Sequence, residues 1–199
     1  MRLEFISIIA ILVIGSVASG QPAPSTQPAT TQTAKGPMEA ASELAGFFAA
    51  HAVWSVSDGE TLIPLVAYET AGGKRQMNRL VSERVEEGAT RGKEWLAKNP
   101  DHAARAVLVF DGFITLKSGK TDALILTIRE YTLGEAEITM AVPYRPASDA
   151  KGFAVHRPKF LGFKGAQPDW QKVGEALWTG IAKHEKGAEV WNKHLDESK

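Results

Sequence analysis

The stretch AVLVFDGFITLKSGKTDALILTIREYTLGEAEITMAVPYR, residues 106–145, decides the fold class. Turn residues at Ser118-Gly119 and around Gly134 divide it into three runs, 106–116, 121–131 and 136–145, rich in Val, Ile, Leu, Thr and Phe. Such runs bounded by such residues read as strands, and connections this short return the chain antiparallel. A further run over 153–160 follows the turn residues at 148–152, so the region predicts a four-stranded antiparallel meander.

The turns also imply a register. With Ser118-Gly119 as a two-residue loop, Asp111 faces Leu126 and Thr115 faces Asp122; with Tyr131 opposite Ala136, Asp122 faces Arg145 and Glu130 faces Glu137. One sheet face then carries Asp111, Thr115, Asp122, Glu130, Thr139 and Arg145. The other carries Leu108, Phe110, Ile114, Leu116, Ile125, Ile138, Met140, Val142 and Tyr144, and is the expected helix platform. Antiparallel sheets often keep one wet face, which makes the mixed face the expected functional surface. His156 falls on the neighbouring strand, and Pro143-Tyr144-Arg145-Pro146 ends a strand with a phenol and a guanidinium suited to an anion. The candidate ligand-binding residues are therefore Asp111, Asp122, Glu130, Tyr144, Arg145 and His156.

Outward from the meander, Met38, Ala41, Leu44, Ala45 and Phe48 recur at helical steps after Pro37 and predict a short helix ending near His51. Residues 52–56 and 61–68 flank Ser57-Asp58-Gly59-Glu60 and read as a hairpin, with Pro64 marking an edge strand. Met77, Leu80, Val81, Val85, Gly88, Gly92, Trp95 and Leu96 then keep a helical period over 77–96. Arg79 with Glu83, Glu87 with Arg91 and Glu94 with Lys98 pair along its outer face. Gly88 and Gly92 on its apolar face point to a close approach by another element. Trp170, Val173, Leu177, Ile181, Ala188, Trp191 and Leu195 mark a long C-terminal helix. The expected fold is α+β: an antiparallel sheet, hairpin plus four-stranded meander, with three helices, the two long ones packed on one sheet face.

Before the domain, Arg2 precedes an apolar run over 5–14, half of the roughly 20 residues a bilayer span needs. Small residues over 15–20 complete the pattern of a secretory signal peptide at 1–20. Residues 21–36, Pro-, Thr- and Gln-rich with Lys35 as the one charge, read as a disordered linker, leaving 37–199 as a single globular domain. The expected location is exported, in a bacterial periplasm or at a cell surface, with no stable membrane span once the leader is cleaved. The absence of cysteine suits a domain large enough to need no disulfide.

Charge and motifs narrow the function. Lys plus Arg number 23 and Asp plus Glu 23, so no field exists to hold a nucleic-acid backbone or an anionic bilayer. Ser118-Gly119-Lys120-Thr121 resembles a phosphate-loop tail, but Ile114 stands where the motif needs glycine and a strand follows where it needs a helix. His51, His102, His156, His184 and His194 are scattered, and Ala188 occupies the position where His184-Glu185 would need its second histidine, so no metal or cofactor is expected. His184 reads as a partly buried core residue. What these features support is an exported binding or interaction domain holding a small molecule or a protein partner on the sheet face or in an adjoining cleft. The alternative is an extracytoplasmic hydrolase using Asp111 or Glu130 with His156 as acid and base, Glu137 raising the pKa of Glu130.

Overall fold

The computed structural model describes residues 36–198 apart from 118 and 133. The leader expected over 1–20 and all of the linker but Gly36 lie outside the described residues.

In chain order the elements are α1 (Pro37–Val56), β1 (Leu65–Thr70), β2 (Arg75–Arg79), α2 (Val85–Lys98), β3 (Ala103–Leu116), β4 (Gly119–Glu130), β5 (Ala136–Arg145), β6 (Ala154–Val155), β7 (Lys159–Lys164), α3 (Trp170–Lys183) and α4 (Glu185–His194). The strands form one antiparallel seven-stranded sheet in the order β2-β1-β3-β4-β5-β6, with β7 also pairing β5. The α+β class with an antiparallel sheet is as expected; the helix count is four rather than three. Among the described residues no helix is long and apolar enough to cross a membrane.

The largest departure is at α1, which runs 20 residues to Val56 instead of stopping near His51. Ala49, Ala52, Val53 and Val56 are all buried, a helical spacing rather than the alternation of a strand. Residues 52–56 therefore cannot form the expected hairpin. The first hairpin instead joins β1 to β2 through the turn at Gly73 (φ 79°), with Leu65 opposite Arg79. Residues 75–79, expected to begin a long helix, are drawn into this ladder, and α2 keeps only the later 14 residues. Its two glycines do meet close neighbours: a Cβ on Gly92 would sit 2.3 Å from Leu108 and one on Gly88 2.6 Å from the Leu80 carbonyl.

The register corrects the face assignment. β3 and β4 close at Leu116↔Gly119, so Asp111 faces Leu124, a shift of two residues that leaves each side chain on its expected face. β4 and β5 pair with Glu130 opposite Ala136, one residue from expectation, because Tyr131 leaves that ladder and bonds the Ala104 carbonyl. A shift of one residue transfers every β5 side chain to the other face. Asp122 and Arg145 thus lie on opposite faces, and the expected ion pair is not formed; Arg145 pairs with Asp196.

Leu65, Val107, Val109, Leu124, Leu126, Ile128, Ile138 and Val142 consequently share one buried face, which α1 covers. The face expected to be wet is this core face. α3 and α4 pack on the outer side of α1, so α1 is buried on two sides. Cβ atoms on Gly46 and Gly180 would each stand 2.0 Å from a carbonyl oxygen of the facing helix, which is how closely α1 and α3 approach. α2 lies on the opposite sheet face, over Val66, Tyr68, Ala106 and Leu108. The expected placing of both long helices on one face is thereby corrected: α2 is on the far side, and the expected C-terminal helix is two helices broken at His184.

Candidate functional site

The six residues singled out by sequence fall into three separate places. Asp111, Asp122 and Tyr144 share the end of the core face, where the Tyr144 hydroxyl donates to both Asp111 oxygens at 2.9 and 3.0 Å. Burial raises the Asp111 pKa and the Asp122 charge adds to this, while the Tyr144 donor opposes it. Burial likewise pushes the Tyr144 phenol up, with the Asp111 charge next in effect.

Arg145 and His156 meet instead at the C-terminal tail. The Arg145 Nε donates to the Gly152 carbonyl at 2.8 Å and its Nη1 to Asp196 Oδ2 at 3.4 Å. His156 is fully buried, and its Nδ1 lies 2.8 Å from the Asp196 carbonyl, an acceptor, so Nδ1 carries the proton. Hydrogen bonds from Ser198 hold the Asp196 carboxyl down to about 2. Glu130, also fully buried, stands apart: Oε2 accepts from Arg105 Nε at 3.1 Å, and Oε1 from the Thr132 hydroxyl at 2.7 Å and backbone N–H at 3.2 Å. Neither Asp111 nor Glu130 is hydrogen-bonded to His156.

A cleft that sequence reading missed opens where α1 ends. It encloses about 240 Å³ between the last turn of α1, the following loop, the start of β1 and the end of β2. His51 and Trp54 reach it because α1 continues past residue 51, and Arg79 because it pairs with Leu65 across the hairpin. Asp58 and Glu60 come from the loop. Arg79 makes no hydrogen bond or ion pair among the described residues.

The protonation of His51 follows from a chain of hydrogen bonds. His184 ends α3 and caps α4, its Nδ1 accepting the Gly187 N–H at 2.9 Å. That nitrogen is therefore bare, and the His184 proton sits on Nε2, 3.1 Å from His51 Nδ1. His51 Nδ1 in turn accepts, which leaves the His51 proton on Nε2; this atom is buried with no hydrogen-bond partner. Burial lowers the pKa of both rings, and for His51 the charges of His184 and Arg79 lower it further. Phe47 and Trp54 flank the pair, with ring centroids 4.8 and 6.0 Å from that of His184.

Sequence patterns could not expose this site. His51 and His184 are 133 positions apart, and Arg79 reads as the first member of a helical ion pair. Among the described residues no group of three or more His, Asp or Glu side chains converges as a metal site would. Comparison with protein-family models, curated proteins and solved structures finds no match to this chain.

Proposed function

We propose that this protein is an exported binding domain for a small molecule, and that its site is the cleft at the end of α1. The observation that carries this reading is the cleft itself, about 240 Å³ in which the half-buried His51 and the exposed Trp54, Asp58, Glu60 and Arg79 stand beside the apolar Leu62 and Leu65. The roughly 240 Å³ of space suits a small molecule better than a protein surface. Export rests on the leader pattern at 1–20.

A thermal-shift screen of small molecules on the full-length protein tests the proposal, since a ligand selective for the folded state raises the midpoint. Ligands that stabilise the wild type but not Arg79→Gln support the cleft. Ligands that stabilise both equally place binding elsewhere and end this reading. For the hydrolytic alternative, Asp111 is the favoured acid, because burial raises its pKa. Any hydrolytic activity that survives in Asp111→Asn removes it from that role.

A further inference from the structure

We infer that the joint between α3 and α4 is a proton-operated latch: a proton taken up by the His51–His184 pair frees α4 and the C-terminal tail from α1 while the sheet stays folded. The inference goes beyond the binding reading and stands without it, because it concerns how α4 is held and not what the cleft holds. The geometry behind it is the way both rings are used. His184 ends α3 and caps α4, its Nδ1 accepting the Gly187 N–H at 2.9 Å. Its Nε2 lies 3.1 Å from His51 Nδ1. Each neutral imidazole has one bare nitrogen. On His184 that nitrogen receives the Gly187 N–H, and on His51 it receives the His184 N–H. One more proton on the pair therefore has no free place. On His184 Nδ1 it meets the Gly187 donor and abolishes the cap; on His51 Nδ1 it meets the His184 donor and drives the rings apart.

α4 has little else to keep its first turn in place. At 10 residues it is shorter than the roughly 12–15 that an isolated helix needs in water. It docks through Trp191, fully buried beside Trp178, and through Gly187, where a Cβ would stand 2.5 Å from the Ala50 carbonyl. The residue whose N–H the cap holds is thus also the point of closest approach to α1, so losing the cap loosens that contact. The surrounding charges do not trap the proton. Glu43 of α1 and Lys183 of α3 pair with each other, Glu185 and Lys186 open α4 with opposite signs, and Arg79 of β2 stands with Asp58 and Glu60 in the cleft that His51 lines. Among the described residues none of these groups is hydrogen-bonded to either ring. Burial lowers the pKa of both rings, and the charges of His184 and Arg79 lower that of His51 further, so the latch opens below pH 6.5. Two more histidines hold the same segment, His156 on the Asp196 carbonyl and His194 against Phe153, and the test separates them.

Full-length protein labelled with nitrogen-15 is followed from pH 7.5 to 4.5 by imidazole nitrogen spectra and by amide hydrogen exchange. Exchange is expressed as protection factors, which divide out its intrinsic pH dependence. Expected at pH 7.5 is a bare Nδ1 on both His51 and His184. As these two rings titrate, protection over residues 188–196 should fall about fivefold or more, the size of a lost cap, while α3 and β3 to β5 keep theirs. In His184→Asn, whose side-chain oxygen caps without titrating, the fall should vanish. Protection lost uniformly across the domain overturns the inference, as does a loss that follows the His156 or His194 signal, or none at all down to pH 4.5. An undiminished fall in His184→Asn overturns it too; if that variant does not fold, the wild-type titration decides by itself.

Discussion

Glu130 lies fully buried at the end of β4, where Arg105 and Thr132 supply three hydrogen bonds to its two oxygens. Arg105 also pairs with Glu69, whose other oxygen takes Arg75 Nε at 2.9 Å, so one network crosses β1, β2, β3 and β4. Removing one partner of a buried pair typically costs about 3–5 kcal/mol. Glu130→Ala should fall near about 3 kcal/mol in urea unfolding, at the low end because Glu69 still faces Arg105. The histidine pair sets a pH dependence of the opposite origin. Both rings have folded pKa values below 6.5, so as pH falls through 6.5 the unfolded chain takes up protons that the folded chain refuses. Stability contributed by keeping these rings neutral is whole above 6.5 and is lost on acidification until the folded pKa values are reached. The melting temperature should therefore drop between pH 7.5 and 5.5. In His184→Asn, which keeps a capping oxygen but does not titrate, that drop should shrink; an unchanged drop assigns it to other groups.

α1 belongs to the helices whose role is set by what surrounds them. Met38, Ala41, Leu44, Ala45 and Phe48 recur at helical steps as a single periodic set, yet the helix makes contact on two sides, with the sheet below and α3 and α4 above. At Gly180 a Cβ would stand 2.0 Å from the Glu43 carbonyl, a clash with backbone that no rotamer relieves. Gly180→Ala should cost about 1–3 kcal/mol or more in urea unfolding, as overpacking does, although alanine is the better helix former. At the start of α3, Asp169 accepts from the backbone N–H groups of Gln171 and Lys172, and Asp169→Ala should cost about 1 kcal/mol. If Asp169→Ala proves the more damaging of the two, the close packing of α1 on α3 is misassigned. Elements were legible in sequence where local pattern and tertiary pairing agree. β5 has its expected bounds, while β3 and β4 differ from theirs by three residues or fewer. They failed where pairing overrode periodicity, as at residues 75–79, whose helical spacing yields to the ladder with β1.

For the whole molecule, the C-terminal tail closes the structure by returning to the sheet edge. Asp196 N–H donates to the Val155 carbonyl, and the Asp196 carbonyl accepts from buried His156 Nδ1–H. A chain ending at His194 loses both, together with the Arg145–Asp196 pair, and leaves neither ring nitrogen of His156 with a partner. Its expected loss is about 1–3 kcal/mol in urea, against almost none for a chain ending at Glu197. The candidate residues show the same division of information. Asp111, Tyr144 and Arg145 lie in strands as the sequence predicts, whereas His156, expected on a strand over 153–160, follows the two-residue β6, and a one-residue difference in the β4–β5 loop moved the β5 side chains to the other face. Local composition determined the class of fold, the three central strands and the glycines of α2, because turn chemistry and side-chain periodicity act over a few residues. The register, the double burial of α1 and the meeting of His51, His184 and Arg79 were decided by the tertiary structure. The last two depend on packing between segments far apart in the chain, which no spacing within a segment records, and the register turned on Tyr131, drawn out of the β4–β5 ladder by the Ala104 carbonyl.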